Sequence, residues 1–160
     1  INPSICQNAM NNYFKVIDDL QAAAIAEPFV NTVTQGDITD VDLNKNTIFP
    51  LCHLMVNNVS LTSNITTIEI SIILMDIVDF SKKPDSSDIR GNNNEMDVLN
   101  TQLAVAGRLQ AELLRLDTYY KDYQIDSPFT CEPFTDRFEN NVAGWAVSFS
   151  ITMANPSTKC

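Results

Sequence analysis

Apolar and polar positions alternate most regularly near the end of the chain. Over residues 142–153, Trp145, Val147, Phe149, Ile151 and Met153 fall on one side, and Ala146, Ser148, Ser150 and Thr152 fall on the other. Side chains of a strand point alternately to its two faces, so the pattern predicts a strand with one apolar face and one small, polar face. Such a strand needs strands beside it and a helical layer over its apolar face. A second alternation occupies residues 66–79. Ile68, Ile70, Ile72 and Leu74 point one way; Thr67, Glu69 and Ser71 point the other, followed by Ile73, Met75 and Ile77. The change from polar to apolar on that second face predicts that only its later half is covered. Residues 48–61 make a third strand, with Pro50 near the start, where a missing N–H is tolerated. Residues 57–64 supply a turn, so the second and third strands are expected to form an antiparallel hairpin.

Two stretches change period. In residues 8–26, Met10, Tyr13, Phe14, Ile17, Leu20 and Ala24 recur at three- and four-residue steps, which predicts a helix with one apolar stripe. Pro28 ends it by disfavouring helix in the residue before it. Residues 95–120 form a longer helix, with Asn94 as N-cap and Glu95 and Asp97 at its positive end. Its stripe is Leu99, Leu103, Ala106, Leu109, Leu113 and Leu116, and Gly107 is expected to allow close approach to the sheet. Between these elements lie a short β-prone run at 29–34, an acidic loop at 35–46, a polar linker at 80–94 and an extended region at 122–133. The expected architecture is one α+β domain over 1–160: a small, mostly antiparallel sheet packed against two main helices.

The chain has 160 residues and a net charge of −10, which disfavours direct binding to phosphate backbones or anionic membranes. No apolar run approaches a membrane span, and no basic-then-apolar leader is visible. Cys6, Cys52, Cys131 and Cys160 are scattered and form neither a zinc nor a redox motif; the spread leaves one or two disulfides open and fits free thiols in a reducing compartment better.

The search for chemistry returns little. Asp40, Asp42, Asn44 and Asn46 alternate like calcium ligands, but Lys45 and Leu51 stand where glycine and glutamate are needed. His53 is the single histidine and has no partner at a diagnostic spacing, so it reads as a half-buried strand residue. Asp76 and Asp79 read as a strand end rather than an acid–base pair. Nucleophile elbows, phosphate-cradling glycine loops and zinc-protease motifs are absent. No catalytic, cofactor or metal residues are therefore assigned.

Five stretches and the element order carry a resemblance. The stretches are Gly36-Asp37-Ile38-Thr39-Asp40-Val41-Asp42, Ile48-Phe49-Pro50-Leu51, Met75-Asp76-Ile77-Val78-Asp79, Asn94-Glu95-Met96-Asp97-Val98-Leu99-Asn100, and the run from Pro133 through Phe134-Thr135-Asp136-Arg137-Phe138-Glu139-Asn140-Asn141 to Val142-Ala143-Gly144-Trp145. The order helix, hairpin, linker, long helix, closing strands is similar to the small α+β connector fold of tailed-bacteriophage tail terminators. The stretches resemble virion proteins of that neck-and-tail class.

The resemblance implies a structural, non-enzymatic role. Copies would form a homo-oligomeric ring at the neck or the head-proximal tail end, beside other neck, portal-side or tail-tube proteins. DNA would pass through the lumen, and no membrane would be involved. The subunit would be assembled in the host bacterial cytoplasm and reside in the virion. Under that reading the loops at 33–46 and 80–94 make intersubunit or axial contacts, through Asp37, Asp40 and Asp42 and through Lys82, Lys83 and Arg90. Ser148 and Ser150 on the closing strand would border another copy or the channel. Two rival readings are a cytosolic ligand-binding or adaptor domain, and a hydrolase that brings His53 to Asp76 or Asp79.

Overall fold

The closing strand becomes the centre of the sheet. In the computed structural model, the structure describes residues 12–41, 46–78, 95–120, 123–126, 128–135 and 142–154. Helix α1 is Asn12–Ile25 and helix α2 is Glu95–Tyr120. The strands are β1 (Thr32–Gln35), β2 (Leu51–Leu61), β3 (Ile65–Ile77), β4 (Gln124–Ile125), β5 (Thr130–Thr135) and β6 (Val142–Ala154). Short 3-10 turns at Ile38–Asp40 and Asn46–Ile48 lie between β1 and β2. The sheet order is β1-β2-β3-β6-β4, with β5 beside β6 on the same side as β4. Every pairing is antiparallel except that of β1 with β2. The fold is α+β, as the alternation predicts.

One sheet face carries the main core. Cys52, Leu54, Ile68, Ile70, Ile72, Leu74, Val147, Phe149, Ile151 and Met153 pack with Val16, Ile17, Leu20, Ala23 and Ala24 of α1 and Val105, Ala106, Leu109 and Leu113 of α2. The apolar rows expected on β3 and β6 therefore meet the helices. Tyr123 donates to Asp19 at 2.7 Å, linking α1 to the chain just before β4. The indole of Trp145 donates to the carbonyl of Leu99 at 2.8 Å, so its polar tip is satisfied against α2. Arg108 closes the helix pair: it meets Glu27 at 2.7 Å and lies over the Phe29 ring at 4.9 Å.

A smaller core lies on the other face, at one end only. Phe49, Leu51, Met75, Phe134 and Val142 are buried there, with Ile38, Val41, Ile48, Ile73 and Ile77 packed around them. The turns between β1 and β2 supply the cover. This is the double coverage expected for the later half of β3.

Several expectations need correction. Tyr13 and Phe14 are exposed rather than part of the α1 stripe, whose buried members are Val16, Ile17, Leu20, Ala23 and Ala24. The strand in the β-prone run is shifted to Thr32–Gln35, because it forms where it can pair with Leu51 to Leu54. The hairpin turn is confined to 62–64, since pairing continues to Leu61 and Thr66. In α2, Leu103 is exposed and Gln102 is buried in its stead. Gly107 does not approach the sheet: a Cβ there would meet nothing within 4 Å. The close approach belongs to Gly144, where a Cβ would come within 1.8 Å of the Leu74 carbonyl oxygen. The region at 122–133, by contrast, is β-like or extended as expected, and holds β4 and the start of β5.

Candidate functional site

The uncovered end of the second face is built from polar alternation. Register places Ser71 opposite Ser148, Glu69 opposite Ser150 and Thr67 opposite Thr152. Opposite residues in an antiparallel pair project from the same face. The polar half of β3 and the polar row of β6 therefore coincide. On β2, the bulge between Val56 and Asn58 brings Asn57 over the same face. Asn57 donates to Ser71 Oγ at 2.6 Å, and Ser71 Oγ lies 3.2 Å from Ser148 Oγ. A short polar chain thus crosses three strands.

A shallow concavity of about 470 Å³ opens on this face, lined by Asn57, Glu69, Asp126, Thr130, Ser148 and Ser150 among others. Its lining mixes hydroxyls and an amide with Ile70, Pro128 and Phe149; its charge comes from two carboxylates, with no Lys, Arg or His in the lining. Asp126 is held at the rim: its carboxylate accepts from Thr152 at 2.7 Å, and its N–H donates to the Ser150 carbonyl at 2.9 Å. Such a surface hydrogen-bonds and repels anions. Among the described residues, the hydrogen-bond partner of Ser148 Oγ is the hydroxyl of Ser71, at 3.2 Å.

The interface residues expected from the sequence separate into groups. Ser148 is exposed and Ser150 half-buried, both in the concavity. Asp37 and Asp40 are exposed on the loop that covers the other end. Asp37 caps the first 3-10 turn, accepting from the Thr39 N–H at 2.9 Å, and this bond holds its carboxyl below the usual range. Asp42, Lys82, Lys83 and Arg90 lie outside the described residues, as does the whole linker at 80–94. Asp79, Cys6, Cys160 and the N-cap Asn94 lie outside them as well.

His53 is fully buried rather than half-buried. Its ring nitrogens meet Thr34 Oγ1 and the Gly36 carbonyl, so the geometry pairs it with a hydroxyl and a backbone oxygen and not with Asp76. The Asp76 carboxylate accepts from the Ile77 N–H at 2.8 Å, and burial raises its pKa. Cys52 and Cys131 are free thiols, and burial pushes that of Cys52 up to about 12. Among the described residues no three His, Cys, Asp or Glu side chains gather as metal ligands. No described helix is long and apolar enough to cross a membrane.

Asn57, Glu69, Asp126 and Thr130 were not singled out from the sequence. The polar row of β3 was visible, but nothing local reports which row of β6 it joins. Comparison with protein-family models finds no match, and comparison with curated proteins finds none either.

Proposed function

We propose that this chain is a structural subunit of a tailed-bacteriophage virion, repeated as a ring at the neck or the head-proximal end of the tail. One observation carries the reading. Half of one sheet face, centred on Ser71 and Ser148, is polar and uncovered by the described helices, which both pack on the opposite face. A subunit in a ring has a use for such a face, either against the next copy or toward the channel. The carboxylates Glu69 and Asp126 and the net charge of −10 suit a lumen along which DNA slides without sticking. Neighbouring neck or tail-tube proteins are the further partners that this role requires.

The second reading, a ligand-binding or adaptor domain, draws on the concavity itself, which at about 470 Å³ has the size of a small-molecule site. Its lining is mixed, with Ile70, Pro128 and Phe149 among the polar groups, and it is open rather than enclosed, which fits that reading less well than a closed apolar pocket would.

The deciding experiment is reconstruction of the assembled particle together with native mass measurement of the chain alongside its tail components. A ring with Ser148 facing a neighbour or the axis is expected. A chain absent from the particle, or one that stays monomeric with those components, would remove the proposal.

A further inference from the structure

The turn that follows β1 rests on a buried histidine. His53 is 0% exposed. Register sets it beside Thr34 of β1 and opposite Ile73 of β3, and its Nε2 meets the Gly36 carbonyl at 2.9 Å. Beyond Gly36, segment 37–41 crosses the smaller core, against which Ile38 and Val41 pack. That cover is thinly held. Among the described residues, its own hydrogen bonds are internal: the Thr39 N–H donates to the Asp37 carboxylate, the Asp40 N–H to the Asp37 carbonyl and the Val41 N–H to the Ile38 carbonyl. No residue of Ile38–Asp40 is buried. Gly36 makes the ties to the sheet. Its N–H donates to the Leu54 carbonyl at 3.1 Å, and its carbonyl accepts from His53. Segments with few buried apolar contacts and exposed backbone bonds are the ones that open locally while the rest of a domain stays folded.

One of the two ties therefore runs to a ring that titrates near neutrality. Its bonds survive protonation: Nε2 goes on donating to Gly36, and the Thr34 hydroxyl turns to accept from Nδ1. The charge is what the site does not accommodate. Around the ring, β1 presents Thr34, β3 presents Ile73, and β2 itself presents Leu51 and Met55 on the same face, none of them ionisable. The turn brings Asp37 and Asp40, both exposed, and the Asp37 carboxylate is already engaged by the Thr39 N–H. A buried imidazolium with no carboxylate bonded to it is costly. Gly36 and Asp37 are exposed, so lifting the turn is the short route by which water reaches the ring.

We propose that segment 36–41 is a proton-operated flap: protonation of His53 lifts it off the smaller core while the helices, β3 and β6 stay packed. Lifting withdraws Ile38 and Val41 from the cluster of Phe49, Leu51, Met75, Phe134 and Val142, so falling pH uncovers apolar surface at that end of the sheet. Burial favours the neutral ring in the closed state, and the opened ring regains an ordinary pKa of about 6.5, which fixes the direction. The flap uses no residue of the Ser71–Ser148 concavity, so it stands apart from the ring reading.

The test is hydrogen–deuterium exchange on the purified full chain from about pH 7.5 to about pH 5, with exchange times scaled for the intrinsic pH dependence of amides. Protection of the Gly36 amide and of 37–41 should fall by about fivefold or more below pH 6.5, while that of α2, β3 and β6 holds. His53→Gln supplies an amide donor for the Gly36 carbonyl and takes up no proton, so its exchange in this segment should not vary with pH. The single histidine also reports directly. Its ring resonances in the native chain should titrate with a midpoint below 6.5, and the loss of protection should stop at that midpoint. This second measurement decides the matter if the glutamine variant is open at every pH. Protection that ignores pH, protection lost by all elements together, a pH dependence that persists in His53→Gln, or a ring midpoint at or above 6.5 would overturn the flap.

Discussion

The Nε2 atom of His53 lies 2.9 Å from the carbonyl oxygen of Gly36. A carbonyl only accepts, so Nε2 carries the hydrogen and Nδ1 accepts from the Thr34 hydroxyl at 2.7 Å. The neutral ring therefore has both nitrogens satisfied inside the protein. It ties β2 to the end of β1 and to the turn that opens the loop over the smaller core. Gly36 adopts φ +107°, which side-chain-bearing residues rarely do, and that turn aims its carbonyl at the ring.

Burial holds the His53 pKa below the usual value, against the opposing pulls of the Gly36 bond and the Asp37 charge. The folded state therefore binds the proton less readily than the unfolded state. The stability contributed by this group is complete above the unfolded pKa of about 6.5 and is lost as pH falls from there toward the folded value. Thermal melts from about pH 7 to about pH 5 should show a falling midpoint. His53→Gln should be less stable by about 1–3 kcal/mol at neutral pH and should lack the histidine-dependent part of that fall. Asp76 works in the opposite sense: its raised pKa adds stability as pH falls through it.

Gly144 is the position at which a methyl group has no room. The atom it would strike is the backbone oxygen of Leu74, which cannot swing aside as a side-chain tip would. Gly144→Ala should force β3 and β6 apart where Met75 and Phe134 flank it, and cost about 3 kcal/mol or more. Urea unfolding would measure this. Gly107→Ala, on an exposed and open stretch of α2, should instead stabilise by up to about 1 kcal/mol through helix propensity.

Gln102 is 1% exposed, and neither its Oε1 nor its Nε2 has a hydrogen-bond partner among the described residues. A buried amide left unpaired costs about 1–3 kcal/mol. Gln102→Met keeps the length of the side chain and removes both polar atoms. Chemical denaturation should show a more stable protein, by about 1 kcal/mol. A large loss instead would reveal that the amide has a partner.

Arg108 sits between Glu27 and Phe29, and Glu27 is 8% exposed. The arginine side chain is itself 45% exposed, so solvent screens the pair. Arg108→Ala should cost about 1–2 kcal/mol, largely by leaving the Glu27 carboxylate buried without its partner. Adding Glu27→Gln should recover part of that loss, and a double-mutant cycle would report the coupling.

The elements were legible wherever one face of a segment is buried against the rest. Rows such as Ile68, Ile70, Ile72 and Leu74 record which side of a strand meets the core, and the 95–120 stripe does the same for a helix. Tyr13, Phe14 and Leu103 misled because periodicity marks apolar side chains without reporting whether another surface reaches them. Part of the candidate site was legible too: Ser148 and Ser150 lie in the concavity because their alternation with Trp145 and Val147 puts them opposite the helices.

By itself the sequence determined the identity and the buried side of the main helices and strands, and their bounds to within a few residues, since each depends on periodicity within one segment. Only the tertiary structure decided that β1 runs parallel to β2, that β6 lies between β3 and the β4–β5 pair, and that Ser71 meets Ser148. Those relationships join residues far apart in the chain. A strand pattern repeats every two residues, so many registers satisfy it equally until the whole core is packed. The open polar face arises in the same way: each row was visible alone, and the face exists only because the rows coincide.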